Sequence, residues 1–272
     1  VIVVLTASCC VFTDALFMLA AVTVQIGLFS AIASQKPFCL SLIAPLLSYG
    51  VAFALLGDWI LAFAAVLFFP AGAFVALCVS KSCSRSKTVL VASLCFGISV
   101  AVYCGSFAAL NGGITVDELS KALYNGINYV ADMSVDNLPE VYFSQGITKE
   151  AYRDLLFEAM RLFLMGVAVL ICNAVAYFST AITKKVLLRT KGNKLLSKDK
   201  DWLYVLSKPS AAMFVVCYLC VLVGGDALTL PQQIAFNTVV VALLGGVLVM
   251  AARSIKQKMG VAGISSVLIY VI

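Results

Sequence analysis

The chain has 272 residues, 62% of them apolar and only 12% charged, with no histidine and a net charge of +6 from 19 basic and 13 acidic side chains. A soluble domain carries about 25% charged residues and has no place to bury so many apolar runs of about 20 residues, the length that crosses a bilayer core as a helix. A soluble globular domain is therefore excluded, and the missing histidine removes imidazole catalysis, imidazole metal ligation and imidazole pH switching together.

In chain order, residues 1–12 read as the tail of one span. No basic segment precedes them, so they are not read as a signal peptide. A carboxylate at the bilayer centre costs about 2.5–3.5 kcal/mol, so a break is expected at Asp14 rather than one helix over 2–33. Spans follow at 15–34, 38–56, 59–80 and 88–110. Asp14 and Asp58 read as helix caps at the outer surface. Gly57-Asp58-Trp59 reads as a tight hairpin with Trp59 as interfacial anchor. Pro70 should kink the 59–80 span or expose a carbonyl.

The segment 111–156 reads as an amphipathic outer insert. Asn111-Gly112-Gly113 is a breaker, Thr115 to Glu118 matches a capping box, and Leu119, Leu123, Ile127 and Val130 make one apolar stripe suited to a membrane surface or the bundle mouth. Asp136 to Pro139 ends it. A second helix should start near Thr148, with Glu150 and Asp154 favouring its dipole, and continue into a span at 157–182. The basic loop 184–208 leads to spans at 209–225, 232–252 and 259–272, with Pro209 in the tolerated first turn. The fold class is all-α: a polytopic transmembrane helix bundle of about eight or nine spans. It divides into N-terminal spans (1–110), the insert (111–156) and C-terminal spans (157–272).

Charge sets an orientation. With Lys36, the run 81–87, the loop 184–208 and the run 253–258 inside, the spans alternate without conflict, and fifteen of the 19 basic residues face the cytoplasm. Asp14, Asp58, 111–156 and Asp226 then lie outside. The basic residues of the loop, including Lys184, Lys185, Arg189, Lys191 and Lys194, meet anionic lipid. They are not a nucleic-acid signal.

Polar groups in or near spans are the candidate site. Glu158 and Arg161 stand three apart and can pair, and Glu150, Asp154 and Glu158 form an acidic stripe. This reads either as a polar mouth for a solute or as a solvated helix face. Asn173 and Asn237 lie within spans, where amides bond across helices or bind a solute; Gln25 reads the same way. Gly72 with Ala76 and Ala242 with Gly246 have the four-residue spacing of close helix contact. Cys217 and Cys220 have the spacing of a thiol pair, but zinc wants about four ligands and no second pair exists. Neither Lys81-Ser82 nor Lys87-Thr88 has the preceding glycine of a phosphate loop. No catalytic set, cofactor motif or metal set emerges, so the chain does not read as an enzyme.

Leu42 to Gly50, the hairpin after it, and Phe69-Pro70-Ala71-Gly72 resemble the front half of the YybS-like bacterial membrane proteins of unknown function. Asp201 to Pro209, Asn237 and Gly245-Gly246 fit the same plan. The resemblance implies a multi-pass protein of the bacterial cytoplasmic membrane with a core similar to the substrate-binding components of energy-coupling-factor vitamin transporters. The Ala-rich docking helix of such components is not visible here.

Two functions are expected from these features. One is a small-solute binding or transport component with its pocket near Glu158, Arg161, Asn173 and Asn237, and the insert as a lid. The other is a membrane scaffold, meeting a cytoplasmic or membrane protein partner through its loops. The first expects a polar, outward-opening cavity; the second expects those side chains to pair with one another.

Overall fold

The computed structural model describes residues 1–11, 14–110, 121, 124–130, 132–133, 148–190, 207–224 and 227–259, and every regular element among them is a helix. Caps and prolines set the boundaries. Helix α1 (Ile2–Val11) ends before Asp14, and α2 (Ala15–Gln35) starts on it. The Asp14 carboxylate accepts from the Phe17 N–H at 2.7 Å, the bond expected of a cap. Pro37 disfavours a helical Lys36, whose backbone is extended.

The expected 38–56 span is two helices, α3 (Phe38–Ser41) and α4 (Ile43–Leu56). The expected 59–80 span is likewise α5 (Trp59–Val66) and α6 (Phe69–Ser80). One rule explains both breaks. A proline ring clashes with the carbonyl four residues earlier, which is Ser41 for Pro45 and Val66 for Pro70, the last residue of the preceding helix in each case. Gly57 closes α4 at φ +68°, a left-handed conformation that suits glycine. Asp58 then caps α5, accepting from the N–H groups of Ile60 and Leu61 at 2.7 and 3.1 Å.

A short turn through Ser82 leads to α7 (Arg85–Leu110). Thr148 caps α8 (Lys149–Arg189), accepting from the Ala151 N–H at 3.2 Å. The helix runs unbroken for 41 residues, about 60 Å at 1.5 Å per residue, twice a hydrocarbon core of about 30 Å. It ends at Arg189 rather than near Ile182. Pro209 and Pro231 are the second residues of α9 (Lys208–Gly224) and α10 (Leu230–Met259), where no amide hydrogen is needed.

Five stretches among the described residues are long and apolar enough to cross a membrane: Leu16–Gln35, Cys39–Leu56, Arg85–Tyr103, Glu150–Arg189 and Leu230–Val249. Helices α1, α6 and α9, at 10, 12 and 17 residues, fall short alone. The expected 259–272 span, the capping box at Thr115, and loop residues 191–206 with Lys191 and Lys194 lie outside the described residues.

Helices α2, α6, α7 and α8 form a ring in which each packs on the next. Its interior holds two clusters, one with Ala31, Val75, Val79, Val89, Ala176 and Leu187, the other with Val22, Ile26, Ala71, Phe96 and Val175. Small residues bring the backbones close. A Cβ on Gly27 would stand 2.8 Å from Ile182, and one on Gly72 would stand 2.8 Å from Phe29. Outside the ring, α10 packs on α8 and α9 on α10, while α1 and α4 pack together beside α2 and α5. Helix α7 turns Leu90, Leu94, Ile98 and Val102 outward at four-residue spacing. Such a stripe is costly in water and at ease in hydrocarbon.

The packing registers fix directions. Gly27 meets Ser179 and Ile182, and Gln35 donates to Thr190 at 2.6 Å, so α2 and α8 are parallel. Gly166 meets Val241 and Gly245 meets Leu170, so α8 and α10 are parallel too. Ala71 clusters with Val22 and Val79 with Ala31, so α6 follows α2, whereas Phe96 and Val89 join the same two clusters in the opposite order along α7. The helix ends carrying Lys36, Lys81, Arg85, Lys87, Lys184, Lys185 and Arg189 therefore share one end of the bundle. Asp14, Asp58, Glu150, Asp154 and Glu158 sit at the other.

Candidate functional site

Each expected site residue has a definite place. Glu158 and Arg161 pair on the exposed first half of α8, Nη1 to Oε1 at 3.3 Å. Asn173 stands twelve residues beyond Arg161, about 18 Å down the same helix. Its Nδ2 donates to the Ala242 carbonyl of α10 at 3.1 Å. Asn237 is buried on α10, and its backbone oxygen lies 3.3 Å from where a Gly166 Cβ would stand. The two asparagines thus share the α8–α10 contact, and the Glu158–Arg161 pair is separate from them. Lys184, Lys185 and Arg189 end α8 at the basic end. Free Cys217 and Cys220 lie on α9, and no cluster of three His, Cys, Asp or Glu among the described residues could hold a metal.

Before that pair, the first turns of α8 dock the only described helix of the insert, at 124–130. Arg153 pairs with Asp132 at 2.5 Å and donates to the Asn128 side-chain oxygen at 3.2 Å. Tyr124 meets the Phe157 ring edge-on at 4.9 Å. The described part of the insert is thus held against α8. Leu119 and Leu123, half of the expected apolar stripe, lie outside the described residues.

Two clefts lined by described residues flank the ring. The first, about 250 Å³, lies among α1, α2, α5 and α7 and is lined by Thr6, Cys9, Cys10, Met18, Gln25 and Tyr103, with Leu61, Ala65 and Phe68 opposite. Gln25 is buried, and its Nε2 donates to the Thr6 hydroxyl at 3.0 Å, which in turn donates to the Ile2 carbonyl at 3.2 Å. The Gln25 Oε1 accepts no hydrogen bond among the described residues. Gln25 lies eleven residues below Asp14, about 16 Å and so about half a bilayer core deep. One wall is an interrupted helix: Phe68 stands in the break between α5 and α6.

The second cleft, about 260 Å³, lies among α7, α8 and α10, with Val89, Tyr177, Phe178 and Val249 towards the basic end and Asn173 at its inner reach. Arg85, 7% exposed, lies over the Tyr177 ring at 4.5 Å, a cation–π contact. Sequence reasoning named Asn173 and gave Gln25 less weight. Thr6 and Tyr103 carry no periodic signal, because the cleft joins α1 to α2, α5 and α7 across the fold.

The fold defines a helical membrane protein. No protein-family model, no curated protein and no solved structure matches the chain.

Proposed function

We propose that this chain is a small-solute binding or transport component of a cell membrane, and that its solute site is the Gln25 cleft. The observation that supports this most is the break between α5 and α6 beside a buried amide at mid-membrane depth. Short or broken hydrophobic helices are the usual frame of a transporter site, because backbone and side-chain polar groups can there face a cavity instead of lipid. The lining is mainly apolar, with Gln25, Thr6 and Tyr103 as the few orienting groups such a site needs. Together α5 and α6 make one crossing and α9 another, so the described residues cross seven times; the span expected at 259–272 makes eight, and residues 1–12 belong to a ninth. The basic end faces the cytoplasm by the positive-inside rule. The resemblance to the YybS-like bacterial proteins belongs to this proposal, as does the absence of enzymatic chemistry.

A scaffold is the second reading, supported by the mutual pairing of Glu158 with Arg161 and by the docked insert helix. A thermal-shift screen of the detergent-purified chain against vitamins, nucleobases and amino acids separates the two. A ligand at about 100 times its Kd should stabilise by about 2.7 kcal/mol. The expected hit is lost in Ala65→Phe and weakened in Gln25→Leu, and it survives Asn173→Ala. A silent screen on folded protein, or a hit indifferent to Ala65→Phe, would leave the scaffold.

A further inference from the structure

The second cleft has features that suit a different occupant. Along α8 it runs from Leu170 to Phe178, about 12 Å, close to the depth of one leaflet of a core of about 30 Å. Apart from the Asn173 amide, whose nitrogen is already bonded to Ala242, it is lined by apolar and aromatic side chains. It is open along one side rather than enclosed, and the exposed Phe178 and Leu248 stand at its edge.

Among the described residues, charge at its basic end is of one sign. Lys87 stands two residues before Val89 and Lys185 seven after Phe178, both exposed, and Arg253 lies four after Val249 in sequence. Arg85 fixes a further positive charge behind the Tyr177 wall. Residues 80–89, 184–190, 207–211 and 250–259 contain no acid. An apolar slot one leaflet deep, under a rim whose described charges are all cationic, is complementary to a molecule with a hydrocarbon tail and a negative head.

We propose that this cleft seats one acyl chain of an anionic phospholipid from the leaflet at the basic end, with the headgroup phosphate held by Lys87 and Lys185. Charge attraction selects the headgroup, and the slot selects a chain that lies along α8. The site needs only that the chain is embedded in a membrane. It is independent of the Gln25 cleft, and its failure would leave the solute reading untouched.

Native mass spectrometry of the full chain, loaded with equal amounts of phosphatidylglycerol and phosphatidylcholine of matched chains, tests this. The expected result is one retained phosphatidylglycerol, favoured at least tenfold. Ala174→Phe, which fills the slot, should abolish retention, whereas Leu94→Phe on the outer face of α7 should keep it. Lys87→Gln with Lys185→Gln should bring the preference close to one while some lipid is still retained. Equal retention of both lipids by the parent chain, or full retention in a folded Ala174→Phe variant, would overturn the proposal. So would a water-soluble solute displacing the lipid from this slot. If Ala174→Phe does not fold, Phe178→Trp offers a second reading, since that position is exposed and accepts a larger ring. Its added fluorescence should be quenched more strongly by brominated phosphatidylglycerol than by brominated phosphatidylcholine, and equal quenching would overturn the site.

Discussion

Gly27 shows how little room the ring leaves. A Cβ there would meet Ile182 at 2.8 Å and the Ser179 carbonyl oxygen at 2.9 Å, and the Gly27 carbonyl accepts from the Thr183 hydroxyl at 3.1 Å. Backbone cannot yield as a flexible side-chain tip can, so Gly27→Ala should cost about 1–3 kcal/mol, the usual range for overpacking. Gly50, inside α4, has open space where its Cβ would be, so Gly50→Ala should be neutral or up to about 1 kcal/mol stabilising through helix propensity. Thermal unfolding of both variants in one detergent checks the contrast; equal effects would remove the close approach as the cause. Part of this was legible. Gly72 and Ala76 have the spacing of a contact surface, whereas Gly27 was not singled out in the sequence. Gly166, which meets Val241, has leucine at four residues on either side, so its role emerges only from the α8–α10 packing.

Prolines and caps made the helix boundaries readable, because both act through local backbone chemistry. Asp14 and Asp58 cap as their positions implied, and Pro70 interrupts the 59–80 stretch. The depth of the interruption was less plain, since a kink and a full break use the same residue. Pro70→Ala removes the ring and restores an N–H facing the Val66 carbonyl. Amide exchange across residues 66–70 should slow severalfold as α5 and α6 join, while exchange within α10 stays unchanged; unaltered exchange at 66–70 would assign the break to packing by Phe29 against Phe69, 5.0 Å apart. The candidate site was read less well than the elements. Helical rise alone puts Glu158 about 22 Å from Asn173, which already argues against one small pocket holding both. The bond from Gln25 to Thr6 joins residues 19 apart on different helices, and no periodicity announces such a pairing.

At the scale of the molecule, the helix registers of α2, α6, α7 and α8 gather their basic ends on one side of the bundle. This has a strict consequence for labelling. In sealed vesicles, an impermeant amine reagent should modify Lys36, Lys81, Lys87, Lys185 and Lys208 from a single side and Lys121 from the opposite side; all six are exposed. The positive-inside rule assigns the first five to the cytoplasmic face, so inverted vesicles should label them and right-side-out vesicles should label Lys121. Peptide mass spectrometry after quenching reads each site. A reversal of all six would keep the packing and overturn only the orientation. Lys36, Lys81 or Lys185 appearing with Lys121 would instead break the parallel register of α2, α6 and α8. The register is bound to the Gln35–Thr190 and Gly27–Ile182 contacts, so a helix that runs the other way cannot retain them.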